Sequence, residues 1–299
     1  MSRYHFVDQH RLCYPVRRLC QVLGVTPSRY YAWQQRQQPV DAPPASAWEV
    51  ALDQTFERHK KRYGTRRLRV ALRQQGHRVG RQALRTAMRR RGLRALQPKA
   101  YTPRTTDSTH GLRCASNRIL DQPPAVQANR VWVSDITYLP LVSGAWAYLC
   151  AFQDVASKHV VGWHVMATMP EELITTALQR ALLAQQPGPG LLVHSDRGGQ
   201  YCSNAYRALL QRHQALRSQS RRGECYDNAQ AESLWSRFKT EELERREWPV
   251  FTDLADAQAS AATYFDYYNY ERLHSSLGYQ FPYLAHQQLL SSTALNCPA

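Results

Sequence analysis

Two apolar runs, each carrying one carboxylate, limit what this chain can become. Val131-Trp132-Val133-Ser134-Asp135-Ile136-Thr137-Tyr138-Leu139 reads as a buried strand with a single charge in it, and a lone buried charge is costly. Leu191-Leu192-Val193-His194-Ser195-Asp196 reads as a second strand, and the Arg197-Gly198-Gly199 after it as a turn. A third acid, Glu232, follows Asp196 after 35 intervening residues. It lies in Asp227-Asn228-Ala229-Gln230-Ala231-Glu232, where Asp227 and Gln230 have capping-box spacing at a helix start. Singly, each acid is equally an ordinary turn or cap residue. Together they can converge, and converging carboxylates repel unless cations neutralise them. Hard oxygen ligands favour Mg²⁺ or Mn²⁺ over zinc. Two such ions roughly 3.5–4 Å apart would activate an attacking oxygen and stabilise the oxygen leaving a phosphodiester.

The order of elements around these acids predicts an α/β fold. After the Asp135 strand come strands at Trp146 to Asp154 and His159 to Met166, and a helix from Pro170 to Gln186. The Asp196 strand, a helix from Asn204 to Ala215, a short strand at Leu216 to Ser218 and the Glu232 helix follow. Three strands and then alternating helices and strands fit an RNase H-like mixed five-stranded sheet with helices on both faces. On the last helix Asn228, Glu232 and Lys239 share a stripe at spacings of four and seven, while Ala231, Leu234 and Phe238 form the opposite, apolar one. Lys239 and Asn228 are therefore predicted to face DNA beside the acids.

Charge divides the chain. Residues 1–120 hold 25 Lys+Arg against 6 Asp+Glu, whereas residues 121–299 hold 14 against 17. Polyanion binding therefore falls on the N-terminal part, and 34 of the 39 basic residues are Arg, suited to bidentate phosphate and guanine contacts. A basic half can also serve solubility or an anionic membrane surface, but no basic amphipathic helix with a bulky apolar face stands out. Residues 1–45 contain a helical pair with Gly24 at the corner, and Ala42-Pro43-Pro44-Ala45-Ser46 reads as a linker. Residues 46–95 form a second, Arg-rich helical unit. Arg66, Arg67, Arg69 and Arg73 line one helix, with Leu68 and Leu72 inward, and Arg81 and Arg85 lie on the next. With Arg62 before them, these arginines are candidate DNA contacts, in a major groove or along phosphates. Residues 96–128 lack periodicity and read as an extended basic tether, residues 129–250 as the acidic-triad core, and residues 251–299 as a C-terminal helical extension in which Arg272 and His274 mostly pack.

The motifs in this order resemble those of a known family. Trp132-x-x-Asp135-Ile136-Thr137-Tyr138, His194-Ser195-Asp196-Arg197-Gly198-Gly199-Gln200-Tyr201, the run from Ser220 to Glu232, and Tyr268-Asn269-x-x-Arg272-x-His274-x-x-Leu277-Gly278-Tyr279-x-x-Pro282 are similar to the second-frame (OrfB-type) transposases of the IS-three insertion-sequence family. His59-x-x-Arg62-Tyr63-Gly64-Thr65-Arg66-Arg67-Leu68 resembles the second helix-turn-helix of the same family. Gln219, where the family often has Met, and Glu224, where a neutral polar residue is usual, depart from it. The resemblance implies a retroviral-integrase-like DDE core in which Asp135, Asp196 and Glu232 bind two Mg²⁺ or Mn²⁺ ions. It implies cleavage at the element's 3′ ends, joining of the 3′-hydroxyl to another phosphodiester, and a copy-out, paste-in route through a circular intermediate. Expected partners are double-stranded DNA, further copies of the chain on DNA, and the upstream-frame OrfA product, fused or separate. A DNA-binding protein without catalysis would bind ends yet never nick them with Mg²⁺, and a hydrolytic nuclease would not transfer the 3′-hydroxyl.

Seven cysteines without a CxxC pair point to free thiols in a reducing cytoplasm. The spacing of His5, His10, Cys13 and Cys20 does not match paired zinc ligands. No apolar stretch approaches the length of a membrane span.

Overall fold

The computed structural model describes residues 2–37, 46–98, 114–120, 122–222 and 224–295. They fall into two compact units, Met1–Gln54 and Thr55–Ala299.

In the first unit α1 (Arg3–His10), α2 (Val16–Val22) and α3 (Pro27–Gln37) close on Val7, Cys20 and Tyr30. Pro15 and Pro27 sit at helix starts, where a missing N–H is harmless. The Tyr30 hydroxyl donates to Asp8 at 2.8 Å. Helix α1 lies outside the expected helical pair; it buries only Val7, too few apolar positions to leave a period. Most of the expected linker, residues 42–45, lies outside the described residues.

Helix α4 (Ala47–Arg58) leads into the second unit, where α5 (Thr65–Gln74) and α6 (Arg81–Arg90) pack on each other. Leu68, Ala71 and Leu72 of α5 and Leu84, Ala87 and Met88 of α6 are buried, as the spacing of the leucines requires. Gly76 and Gly92, at φ +89° and +68°, end the two helices in the left-handed region that side chains avoid.

The sheet takes β1 (Val131–Pro140), β2 (Trp146–Asp154), β3 (Val160–Met166), β4 (Leu192–Ser195) and β5 (Leu216–Gln219) in the order β3-β2-β1-β4-β5. The first three strands are antiparallel neighbours, and β4 and β5 run parallel to β1. This is the mixed five-stranded arrangement expected from the order of elements. Helix α7 (Glu171–Gln185) lies so close to β3 that a Cβ on Gly162 would stand 2.6 Å from the Ala177 carbonyl. The next residue, Trp163, meets Phe265 of α10 (Leu254–Tyr270) at 5.6 Å, so helices cover both faces. Between them come α8 (Asn204–Arg212) and α9 (Ala229–Phe238), the latter against β1, and α11 (Pro282–Leu295) ends the described chain. No helix among the described residues is long and apolar enough to cross a membrane.

The expected tether is corrected at its C-terminal end, where residues 115–118 are pinned along β5. Ala115 N–H donates to Gln219 at 2.8 Å, Arg118 N–H to the Ser218 hydroxyl at 2.9 Å, and the Asn117 amide to Asp227 at 2.8 Å. Residues 99–113 of the tether lie outside the described residues.

Candidate active site

Strand register brings the first two acids side by side. In the parallel ladder Val133 of β1 pairs with His194 of β4, so Asp135 and Asp196 each lie two residues beyond the same rung. Strand β4 stops at Ser195 and the chain turns. The Asp196 carboxylate accepts from Gly198 N–H at 3.0 Å, and its carbonyl accepts from the Gln219 amide at 3.1 Å. A Cβ on Gly198 would stand 3.2 Å from the Asp196 carboxylate, close enough to crowd it by a few tenths of an ångström. His194 beneath it is buried between the Ser218 and Ser220 hydroxyls and is held neutral, its pKa lowered to about 4 by burial.

Helix α9 is fastened to β1 by the residue before it. Asn228 Nδ2 donates to the Ser134 carbonyl at 3.2 Å, next to Asp135, and Lys158 Nζ donates to Gln230 Oε1 at 2.7 Å. Glu232, in the first turn of α9, is exposed. The capping box is corrected. Asn228 occupies the N-cap but its side chain does not cap the helix N–H groups, and Asp227 instead accepts from Arg221 and Asn117, with Arg221 above all holding its pKa at about 2. Helix α9 also ends before Lys239, which opens a π-helical turn, Lys239–Leu243. The predicted stripe therefore does not run along one regular helix.

Electrostatics tie the acids together. Burial raises the Asp135 pKa well above the ordinary carboxylate value; the Asp196 and Glu232 charges push the same way, against the Ile136 N–H bond at 2.9 Å. The Trp235 indole lies near enough to favour the Asp135 anion but makes no hydrogen bond of ordinary geometry. Partial loss of solvent raises Glu232 although its side chain is exposed, and burial lowers Lys239, where the Asp135 charge pulls the other way. Lys239 is thus within electrostatic reach of Asp135. Among the described residues no three acids, histidines or cysteines already stand around one point that could hold an ion. The exposed Glu232 side chain is the one of the three least held by its surroundings.

The predicted DNA-contacting arginines separate into two sets. Arg66, Arg69, Arg73, Arg81 and Arg85 are exposed. Arg62 is corrected: it is 5% exposed, its Nη2 lies 2.6 Å from Glu242, and its Nε donates to the Glu241 carbonyl at 3.1 Å. A guanidinium so enclosed is closed to phosphate. Arg67 is partly buried, 3.7 Å from Glu241, and hydrogen-bonds the Arg62 carbonyl at 3.4 Å. Sequence reading missed the acids that hold them, Glu241 and Glu242, since nothing in their spacing pairs them with residues so distant along the chain. Gln219 was noted only as a departure. It bonds both the Asp196 turn and Ala115 of the tether.

The integrase core domain family matches residues 125–225 and, in a second form, 214–282, and an HTH-like domain family matches 48–101. Transposase InsF for insertion sequence IS3A of Escherichia coli (strain K12) is 34% identical over 282 residues, 92% of this chain and 95% of its own. The chain belongs to the IS3-family transposases. A further relative, an uncharacterized 31 kDa protein of insertion element IS600 of Shigella sonnei, is 37% identical over 262 residues, 87% of this chain and 94% of its own. Among solved structures the catalytic core domain of BIV integrase aligns with 56% of this chain and 99% of its own at 12% identity and a TM-score of 0.43. Membership assigns the transposase to DNA transposition and integration, with a polynucleotidyl transferase core of the integrase type.

Proposed function

We propose that the chain cuts the 3′ ends of its insertion sequence and joins the freed 3′-hydroxyl to another phosphodiester, with Asp135, Asp196 and Glu232 as its catalytic acids. The observation that carries this reading is the register of β1 with β4, which sets Asp135 and Asp196 next to each other. The donor set fits two hard cations. It offers only carboxylate oxygens, Asp135 and Glu232 are acids whose raised pKa a cation would reverse, and the Oδ1 of Asn228 beside them is buried without a partner. Asp135 and Asp196 would share both Mg²⁺ or Mn²⁺ ions and Glu232 would complete the second, and the bound metal would supply activation of the attacking oxygen and charge stabilisation at the leaving one.

The chain's own residues hold the DNA. Lys239 contacts phosphate beside the acids, whereas the expected contact by Asn228 is corrected, since it is 5% exposed and its amide is held by the Ser134 carbonyl. The exposed Arg66, Arg69, Arg73, Arg81 and Arg85 bind duplex further along. No covalent enzyme intermediate is needed, because the 3′-hydroxyl is itself the nucleophile. The chain acts in the cytoplasm as a homo-oligomer on DNA, with the OrfA product fused or beside it. The test is cleavage and strand transfer on labelled element ends with Mg²⁺ or Mn²⁺. Asp135→Asn, Asp196→Asn and Glu232→Gln each lose both by roughly a thousandfold or more while still binding ends. Full activity in any one of them removes that residue from the mechanism.

A further inference from the structure

A buried cluster of opposite charges fastens the Arg-rich helical region to the end of the catalytic core. Glu242 stands between Arg62, at 2.6 Å, and Arg245, at 2.5 Å. Glu241 receives Arg272 at 2.6 and 2.8 Å and the Tyr264 hydroxyl at 3.2 Å, with Arg67 at 3.7 Å. The Arg62 guanidinium lies over the Tyr267 ring, 4.2 Å from its centroid. Beside it the Tyr63 hydroxyl donates to the Glu271 carbonyl at 2.9 Å and accepts from Leu273 N–H at 2.8 Å. Side-chain exposures of Arg62, Glu241, Glu242 and Arg272 are 2%, 7%, 3% and 1%. Buried ion pairs fix geometry even where they add little net stability, because a displaced partner leaves a charge without water or counter-ion. The two acids belong to the π-helical turn opened by Lys239, directly after α9 with Glu232.

We propose that this cluster is a specificity device: it holds the exposed arginine face of α5 and α6 at a set position relative to Asp135, Asp196 and Glu232, and so measures the spacing between an internal DNA segment and the phosphodiester that is cut. Arg62, Arg67, Glu241, Glu242 and Arg272 are positioning residues here, acting through Lys239 and the two helices and touching no DNA. Arg66, Arg69 and Arg73 follow one stripe of α5 opposite the buried Leu68 and Leu72, and Arg81 and Arg85 are exposed on α6. B-form DNA turns once in about 10–10.5 base pairs, so an insertion of five rotates the internal segment to the far side of the duplex. A swinging arm would follow it; a clamped one cannot.

The inference rests on the strand-transfer reading above, and the experiment separates the two. The full chain is given duplexes carrying the terminal inverted repeat, first to map the internal segment by hydroxyl-radical protection and then with zero, five or ten base pairs inserted between that segment and the cleaved end. The wild-type chain cuts the unmodified end, loses at least tenfold at five inserted pairs and does not recover at ten, while still protecting the internal segment in each. Arg69→Ala with Arg73→Ala removes the protection. Arg62→Met combined with Glu242→Leu, which replaces the ion pair by apolar groups and so keeps a folded chain, brings the five-pair and unmodified rates within threefold of each other. Equal cutting of all three duplexes by the wild type overturns the clamp and leaves strand transfer standing. So does protection unchanged by the α5 double substitution, or spacing dependence unchanged in the Arg62→Met/Glu242→Leu chain once a thermal melt shows it folded. No cutting of the unmodified end overturns the strand-transfer reading, and with it this one.

Discussion

Two groups of acids stand on either side of Lys239 and are treated oppositely by the fold. Glu241 and Glu242 meet Arg62, Arg67, Arg245 and Arg272. Burial alone would raise Glu241, yet Arg272, with Arg67 and Arg62, more than reverses that and lowers it. Asp135 and Glu232 are raised, and in Asp135 the neighbouring acids add to the burial that raises it. A chain with 34 arginines has cations to spare. That they gather on the structural pair, while neighbouring acids add to the raised pKa of Asp135, is what supports the proposal that Asp135 is neutralised by a cation from outside the polypeptide. The difference in charged neighbours follows the one in exposure: Glu241 and Glu242 are buried, whereas Asp135 and Asp196 are half-buried and Glu232 is exposed.

The comparison breaks most readily at the saturated acids. Removing one partner of a buried pair strands the other, so Arg272→Met or Glu241→Gln destabilises the second unit by about 3–5 kcal/mol. Urea unfolding of the variants measures this, and a loss under about 1 kcal/mol would mean water already reaches the cluster. Acid sharpens the contrast. His59, whose pKa burial and Arg58 lower to about 4, and His274, lowered to about 3 by burial and then Arg272, are neutral in the fold. Because their folded pKa values are depressed, stability is complete above about pH 6.5, the ordinary histidine value, and is lost as pH falls toward 4. The slope reaches about 1.4 kcal/mol per pH unit for each histidine, and His274→Asn removes its share. Stability flat between pH 7 and pH 4.5 would count against it.

The first four strands were legible because each lies in a largely apolar run, and the two strand acids because a charge inside or at the end of such a run has few structural excuses. Strand β5, Leu216–Gln219, is mostly polar and followed from the order of elements. Long-range charge pairing was not legible. Arg62 looks like every other arginine of its region, and the acid that fixes its role lies 180 positions away. The tether was misjudged for a related reason: what pins Ala115 and Asn117 is a side chain on β5 and one beside Arg221, and neither leaves a period near residue 115. Gln219 shows the cost of that pinning. Gln219→Met, toward the commoner residue of the family, removes the bonds to Asp196 and Ala115 at about 1 kcal/mol each and slackens the Asp196 turn. Hydrogen exchange at Gly198 and Ala115 should quicken together, and exchange that stays unchanged would show that the turn is held from elsewhere.

The smallest expected effect has the opposite sign. Asp135→Asn keeps the size of the side chain and removes one of the repelling charges, so without divalent cations the variant melts slightly above the wild type, whereas loss of Glu241 can only destabilise. Added Mg²⁺ then reverses the order. It stabilises the wild type by about 1.4 kcal/mol for each tenfold rise in concentration beyond its dissociation constant, and leaves Asp135→Asn almost unmoved. A fold that needed the Asp135 charge for its own packing would lose stability on the same substitution. Paired melts with EDTA and with Mg²⁺ therefore read the sign directly: a destabilised Asp135→Asn in EDTA would place Asp135 with Glu241 among the structural acids.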